Sequence, residues 1–360
     1  MITAPASLRF ELPTRLVASA PPEDRGLRRD QVRLLVAGAG EPVDARFDSL
    51  ADHLSAGDLL VVNTSPTMAA ALQGTMRGKR VVVHLSNLQE DGAWAIEVRE
   101  PDHSGPVLGG FPHEVVRLAG GGSVRLIAPA DGGEIGATRL WRAELDVPGG
   151  VRRCSDRHGR PIRYSYVDRD WPLSMYQTAF GDPTSWPGSA EMPSAGRPFT
   201  PRILQDLRRS GVEIASIRLD TGVSSQEAGE APYAERFEVS AHTASSVNRA
   251  RARGGRVVAV GTTVTRALET AADQVGRVRA ASGWTDLVLG PNRPVRVVDG
   301  LITGFHPPAA SHLELLQAVA GHDVVAAAYE RALAAGYLWH EFGDSSLLLA
   351  DKRIARQLAA

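Results

Sequence analysis

RVVAVGTTVTRALET, from Arg256 to Thr270, reads as a buried strand that turns sharply into a helix. Val257, Val258, Ala259 and Val260 form the short apolar run expected of a parallel strand covered on both faces. Gly261 permits the tight turn, and Thr262 and Thr263 are placed to cap a helix that continues through Arg266, Leu268 and Glu269. A helix opening this way presents free backbone N–H groups at the carboxyl end of a strand, where α/β sheets place ligands. Thr262, Arg266 and Glu269 stand at i, i+4 and i+7, so one face would carry a hydroxyl, a cation and a carboxylate. The stretch by itself fits two readings, a ligand-binding turn or a capped core helix with an internal ion pair.

Outward from it, strand and helix alternate. TPRILQDLRRSG has a Thr cap at Thr200 and Pro at the first helical position, and it stops at Gly211. VEIASIRLD is a strand, the region Ser240 to Arg253 a helix, TDLVLG and VRVVDGLITGF are strands, and SHLELLQAVAG and VVAAAYERALAAG are helices. Upstream, the run ending at Val36 and GDLLVVNTS at Gly57 to Ser65 are strand-like, with Phe47 to Leu54 a short helix. Such alternation implies parallel strands with crossover helices, a barrel-like sheet with its active face at the strands' carboxyl ends. From about Ala70 to Arg153 the texture changes to VVVHLS, WAIEVRE, HEVVRLA, GSVRLIA and RLWRAEL, short β-branched or alternating runs between Gly, Asp and Pro clusters. The expected class is therefore α/β: a barrel-like α/β main domain of residues 1–69 plus 154–360, with a smaller antiparallel β domain, 70–153, inserted.

A chain of 360 residues can bury a substantial core, and 43% apolar with 22% charged residues is ordinary for a globular protein. No run approaches a membrane span, and MITAPASLRFELP lacks the basic and apolar segments of a secretory signal. One cysteine, Cys154, makes no internal disulfide and offers no metal cluster, so the expectations are a cytoplasmic protein, no membrane and no metal. A net charge of −1 advertises no nucleic-acid binder, though local arginine clusters exist near Arg28, Arg77 and Arg249.

Polar residues recur just after the strands: Asn63 and Thr64, Asp220 and Thr221, Thr262 and Thr263, Thr303 and His306. His306 lies between an apolar strand and two prolines, so its ring is either a donor, base or ligand, or a satisfied structural group. HEFGDSSLLL adds Glu341 and Asp344 in a loop before an apolar run. The loop from Arg160 to Thr200 holds two of the six Trp and three of the six Tyr, and reads as a binding-site wall or an aromatic plug between domains.

Taken in order, these segments resemble the S-adenosylmethionine:tRNA ribosyltransferase-isomerase family of queuosine biosynthesis. The resemblance is carried by FELP at Phe10 to Pro13, RLLV at Arg33 to Val36, FDSLADHLSAGDLLVVNTS at Phe47 to Ser65 and YQT at Tyr176 to Thr178. AVGTTVTRALE at Ala259 to Glu269, TDL at Thr285 to Leu287, VVDGLITGFHPP at Val297 to Pro308, AVAG at Ala318 to Gly321 and FGD at Phe342 to Asp344 complete it. It implies S-adenosylmethionine as ribosyl donor, no further cofactor, tRNA carrying 7-aminomethyl-7-deazaguanine (preQ1) as acceptor, and adenine and methionine as leaving products. A base near C5′ of the sulfonium would start elimination and rearrangement, and an amine would then attack C1′. On the motif positions, the donor would meet Gly261, Thr262, Thr263, Arg266, Glu269, Asn63, Tyr176 and Gln177, with Arg266 on its carboxylate; His306, Asp344 and Thr303 would handle protons. Two family histidines are replaced, at Pro198 and Asp220, and Pro307 stands where the family has Leu. A paralogue using the same donor with a small acceptor or cleaving it, and a non-catalytic nucleoside- or tRNA-binding member, are the alternatives.

Overall fold

A computed structural model describes residues 8–130, 132–223, 233–290, 293–308 and 310–350. Before the insertion the chain lays down β1 (Arg33–Ala37), β2 (Val43–Arg46), a 3-10 turn at Phe47–His53 and β3 (Leu59–Asn63). Then come β4 (Ala71–Met76), β5 (Lys79–Leu88), β6 (Trp94–Arg99), β7 (Val115–Leu118), β8 (Ser123–Pro129) and β9 (Leu140–Asp146), followed by α1 (Gly150–His158). After a long loop follow α2 (Pro201–Arg209), β10 (Glu213–Asp220), β11 (Glu235–Val239), α3 (Ala241–Ala252), β12 (Val257–Val260) and α4 (Thr262–Thr270). The chain closes with β13 (Ala281–Thr285), β14 (Gly300–Gly304), α5 (His312–Ala320), α6 (His322–Ala335) and β15 (Ser345–Leu349).

Nine strands form one sheet in the order β13-β11-β10-β3-β12-β14-β15-β1-β2. β12 is central and parallel to β3 and β14, with Val258 opposite Leu60 on one side and Gly300 on the other. Its residues are buried in alternation: Val257 and Ala259 join the cluster made with α3 to α6, while Val258 and Val260 join the one made with α2, Phe47 and Phe199. Burial on both faces is why this strand reads as an unbroken apolar run. The α/β class with an inserted antiparallel β unit is what the chain adopts, and the closed barrel is the inserted unit, β4-β5-β6-β9-β8-β7. The main sheet is mixed, with edges at β13 and β2, where wholly parallel strands were expected. One crossover helix returns a strand parallel; two successive helices, α5 and α6, reverse the chain once more, so β15 runs antiparallel to β14.

The barrel packs Val83, Leu85, Ile96, Val116, Val124 and Trp141 inward, and α1 sits against it through Cys154. Arg77 and Gly78 both take positive φ, 50° and 75°, the two-residue hairpin turn that matches strand twist between β4 and β5. The loop after α1 returns beside the exit of β3: Arg160 exchanges backbone bonds with Ala71, and Met68 donates to Ser189. That return path carries the aromatic loop to the carboxyl ends of the main sheet.

Candidate active site

A cleft of about 420 Å³ opens at the carboxyl ends of β12 and β14. Its walls are the start of α4 (Gly261 to Thr263, Arg266), the end of β14 with its following loop (Thr303 to Pro308), His312 on α5, and the aromatic loop (Tyr164, Tyr166, Tyr176, Glu191). His340 and Glu341 from the loop before β15 complete it. The aromatic loop is therefore a wall of the cleft.

Gly261 takes φ 96° and ψ 156°, a conformation essentially confined to glycine, and it turns β12 into α4 within one residue. Among the described residues no side chain caps this helix, so Thr262 and Thr263 are not caps; both line the cleft. Arg266 is buried, and its guanidinium is largely committed: Nε donates to Leu287 O at 3.1 Å, Nη1 to Glu235 at 2.5 Å, and Nη2 to Thr285 O at 2.9 Å and Tyr233 O at 3.3 Å. At most one of its five N–H groups remains for a ligand. The internal pair expected with Glu269 does not form. Glu269 accepts from the backbone N–H groups of Arg296, Val297 and Val298, at 2.8, 2.8 and 3.1 Å, and clamps the segment leading to β14. Burial pushes its pKa up despite those three donors, and it is not on the cleft wall.

His306 is held on both sides of its backbone: its N–H donates to the Tyr329 hydroxyl and its carbonyl accepts from Trp339 Nε1, each at 3.1 Å. Its Nε2 lies 3.1 Å from Thr303 Oγ1, and its ring stacks on that of His312 at 4.6 Å with 1° between planes. Burial, with His312 and His340 nearby, drops its pKa well below 6.5, so the ring is a neutral imidazole at pH 7. A neutral ring bonded through one nitrogen can accept or donate a proton in a preorganised place.

Opposite it, Tyr166 donates to Glu341 Oε2 at 2.5 Å, Tyr164 donates to Glu191, and the two tyrosine rings stack at 6.1 Å. The sequence marked Glu341 and the tyrosines of the loop but not Glu191 or the pairing of these groups, because irregular loops distant in sequence bring them together. Glu235 and His312 were missed for the same reason: each is ordinary in its own segment and meets Arg266 or His306 only through the fold.

Besides Glu269, three expected site residues stand behind the cleft. Asn63 bridges β3 to β10, its Nδ2 donating to Leu219 O at 2.8 Å and its Oδ1 accepting from Leu219 N at 3.0 Å. Gln177 is clamped to the backbone of Thr67 through both ends of its amide. Asp344 accepts from Arg33 N and Leu338 N, each at 2.8 Å, tying β1 to the loop before β15; both carboxylate oxygens are occupied there, away from the cleft wall. Asp220, at a lost family histidine, is likewise structural: it accepts from Ser65 Oγ at 2.7 Å and pairs with Arg218. Among the described residues no group of three or more His, Cys, Asp or Glu side chains is arranged for a metal, and no helix is long and apolar enough to cross a membrane.

A central parallel strand, a glycine turn into a helix and an aromatic-walled cleft beside an inserted barrel define an α/β protein with a cleft at its sheet's carboxyl edge. Residues 6–348 match the family described as queuosine biosynthesis protein. The S-adenosylmethionine:tRNA ribosyltransferase-isomerases of Moorella thermoacetica and Heliobacterium modesticaldum are each 35% identical, over 94% of this chain and 98% of theirs. The crystal structure of S-adenosylmethionine tRNA ribosyltransferase from Thermotoga maritima is 27% identical, with a TM-score of 0.52 over 94% of this chain and 99% of that one. The chain belongs to the queuosine biosynthesis protein family.

Proposed function

We propose that the protein is an S-adenosylmethionine:tRNA ribosyltransferase-isomerase, moving the donor's ribosyl part onto 7-aminomethyl-7-deazaguanine in tRNA as epoxyqueuosine and releasing adenine and methionine. The observation that carries this is the end-to-end match to relatives bearing that activity's name. In the reaction, loss of a C5′ proton starts the rearrangement: the electron pair left on C5′ bonds to C1′ as the C1′–O4′ bond opens, O4′ bonds to C5′ as the C5′–S bond breaks with its electrons leaving on methionine, and the acceptor amine bonds to C1′ as the bond to adenine breaks. The cleft suits these needs. The amides at the start of α4, with Thr262 and Thr263, receive the donor's carboxylate, and Gly261 allows close approach. Arg266 contributes its remaining N–H and its field. His306, oriented by Thr303, is placed to take the C5′ proton, and Tyr176 forms part of the wall. Asn63, Gln177, Glu269 and Asp344 act at one remove, holding the strands and loops that carry these groups.

In this reading residues 1–69 plus 154–360 form the catalytic domain and 70–153 the inserted domain. S-adenosylmethionine is a substrate, the reaction uses no other cofactor or metal, and the setting is cytoplasmic. The test is to incubate the protein with S-adenosylmethionine, with and without preQ1-containing tRNA. Adenine and methionine are expected in step with tRNA modification; release that is absent, or independent of tRNA, would overturn the assignment.

A further inference from the structure

The loop between α6 and β15 delivers a carboxylate to the cleft that the steps above do not use. Glu341 accepts from the Tyr166 hydroxyl, and Tyr166 is sandwiched between Tyr164 and the ring of His340, the latter 4.2 Å away and 16° from parallel. The three rings thus stack on one another, with Glu341 and Glu191 at the hydroxyl tips of Tyr166 and Tyr164. Beside them Tyr176 is 3% exposed, and its hydroxyl has no hydrogen-bond partner among the described residues. A buried hydroxyl left unpaired is unfavourable, so a bound molecule is its natural partner. Arg266 is the one arginine or lysine among the described cleft residues, and Glu235 already neutralises it. This end of the cleft, with Glu341 and Glu191 on its wall, therefore suits a group carrying a positive charge.

Resting on the ribosyl-transfer reading, we propose that Glu341 is the base that takes a proton from the acceptor's aminomethyl ammonium. The step breaks one N–H bond and forms an O–H bond on Glu341; the electron pair left on nitrogen is the one that bonds to C1′. An alkylammonium with a pKa of about 10 is almost wholly protonated at pH 7 and cannot attack, and an ordinary carboxylate near 4 is a weak acceptor for that proton. Burial pushes Glu341 up to about 7, a value matched to the task. The groups facing it pull both ways: Tyr166 favours its charged form, Glu191 opposes it, and Arg197 favours it although paired with Glu23 at 2.7 Å. Tyr164 and Tyr176 stay neutral, with raised pKa values, and burial holds His340 uncharged with a pKa of about 4.

The test measures adenine release with preQ1-containing tRNA across pH 5.5 to 9 and S-adenosylmethionine affinity by calorimetry, on the wild type, Glu341→Gln and Tyr166→Phe. Wild-type kcat/KM should rise through a limb near pH 7 as Glu341 ionises. Glu341→Gln should lose about 100-fold or more and lose that limb, its residual rate climbing with the amine's own deprotonation, while donor affinity stays within about threefold. Tyr166→Phe, which keeps the carboxylate but removes its hydrogen bond, should move the limb to higher pH, so a Glu341→Gln chain that fails to fold does not decide the matter. An unmoved limb in Tyr166→Phe, near-normal turnover in Glu341→Gln, or a defect confined to donor affinity would overturn the proposal. A wild type inactive on this tRNA would instead remove the functional reading itself, and this proposal with it.

Discussion

Arg266 shows how a motif residue can carry a structural load beside the role its position invites. Its place on the first turns of α4 points to a ligand carboxylate, but the fold spends its guanidinium on Glu235 and three carbonyls. Removing it would strand a buried carboxylate whose pKa burial already raises. Arg266→Ala should therefore cost about 3–5 kcal/mol of folding stability, the scale of a broken buried pair. Urea unfolding checks this, and Arg266→Met with Glu235→Gln should recover part of the loss. A cost below about 1 kcal/mol together with lost donor affinity would return the residue to the ligand.

At the scale of elements, the turn from β12 to α4 aims the cleft. Its positive φ is the reason for glycine, since an added Cβ would meet only ordinary contacts, Ala195 at 3.4 Å and Thr263 at 3.5 Å. Gly261→Ala should destabilise by about 1–3 kcal/mol through backbone strain and misdirect the first amides of α4, seen as a lower unfolding midpoint with weakened donor binding. The barrel carries its own electrostatic element, Glu97, fully buried with Arg139 Nη1 at 2.9 Å and Arg99 Nη1 at 3.1 Å. Burial opposes its charge, but His84, Arg99 and Arg139 outweigh that and hold its pKa at about 2. A depressed carboxyl stabilises above its unfolded value near 4.5 and loses that contribution as pH falls toward 2, here about 3 kcal/mol. Urea midpoints followed from pH 6 to 2 should drop for the wild type and stay flatter in Glu97→Gln; parallel curves would contradict it.

For the whole molecule, sequence pattern carried the α/β class and the strand-to-helix core, because β12 is buried on both faces and its apolar run has no competing reading. Sheet direction was less legible: nothing in the α5 and α6 sequences states that they pack as a pair and turn β15 around. The site divided in the same way. Gly261, Thr262, Thr263, Thr303 and His306 stand at or just after strand ends and were visible there, whereas Glu191, Glu235 and His312 enter the cleft from segments whose local pattern is silent. Asn63, Gln177, Glu269 and Asp344 were legible as polar residues near motifs, but backbone N–H and carbonyl groups claim them, a demand that only the folded chain reveals. The central claim is that the cleft at the carboxyl ends of β12 and β14 performs the chemistry, with His306 among the reacting groups. The most direct measurement is single-turnover adenine release by His306→Ala beside its calorimetric affinity for S-adenosylmethionine. The account predicts a fall of about 100-fold or more with donor affinity nearly intact; a folded variant with near-normal turnover would contradict it.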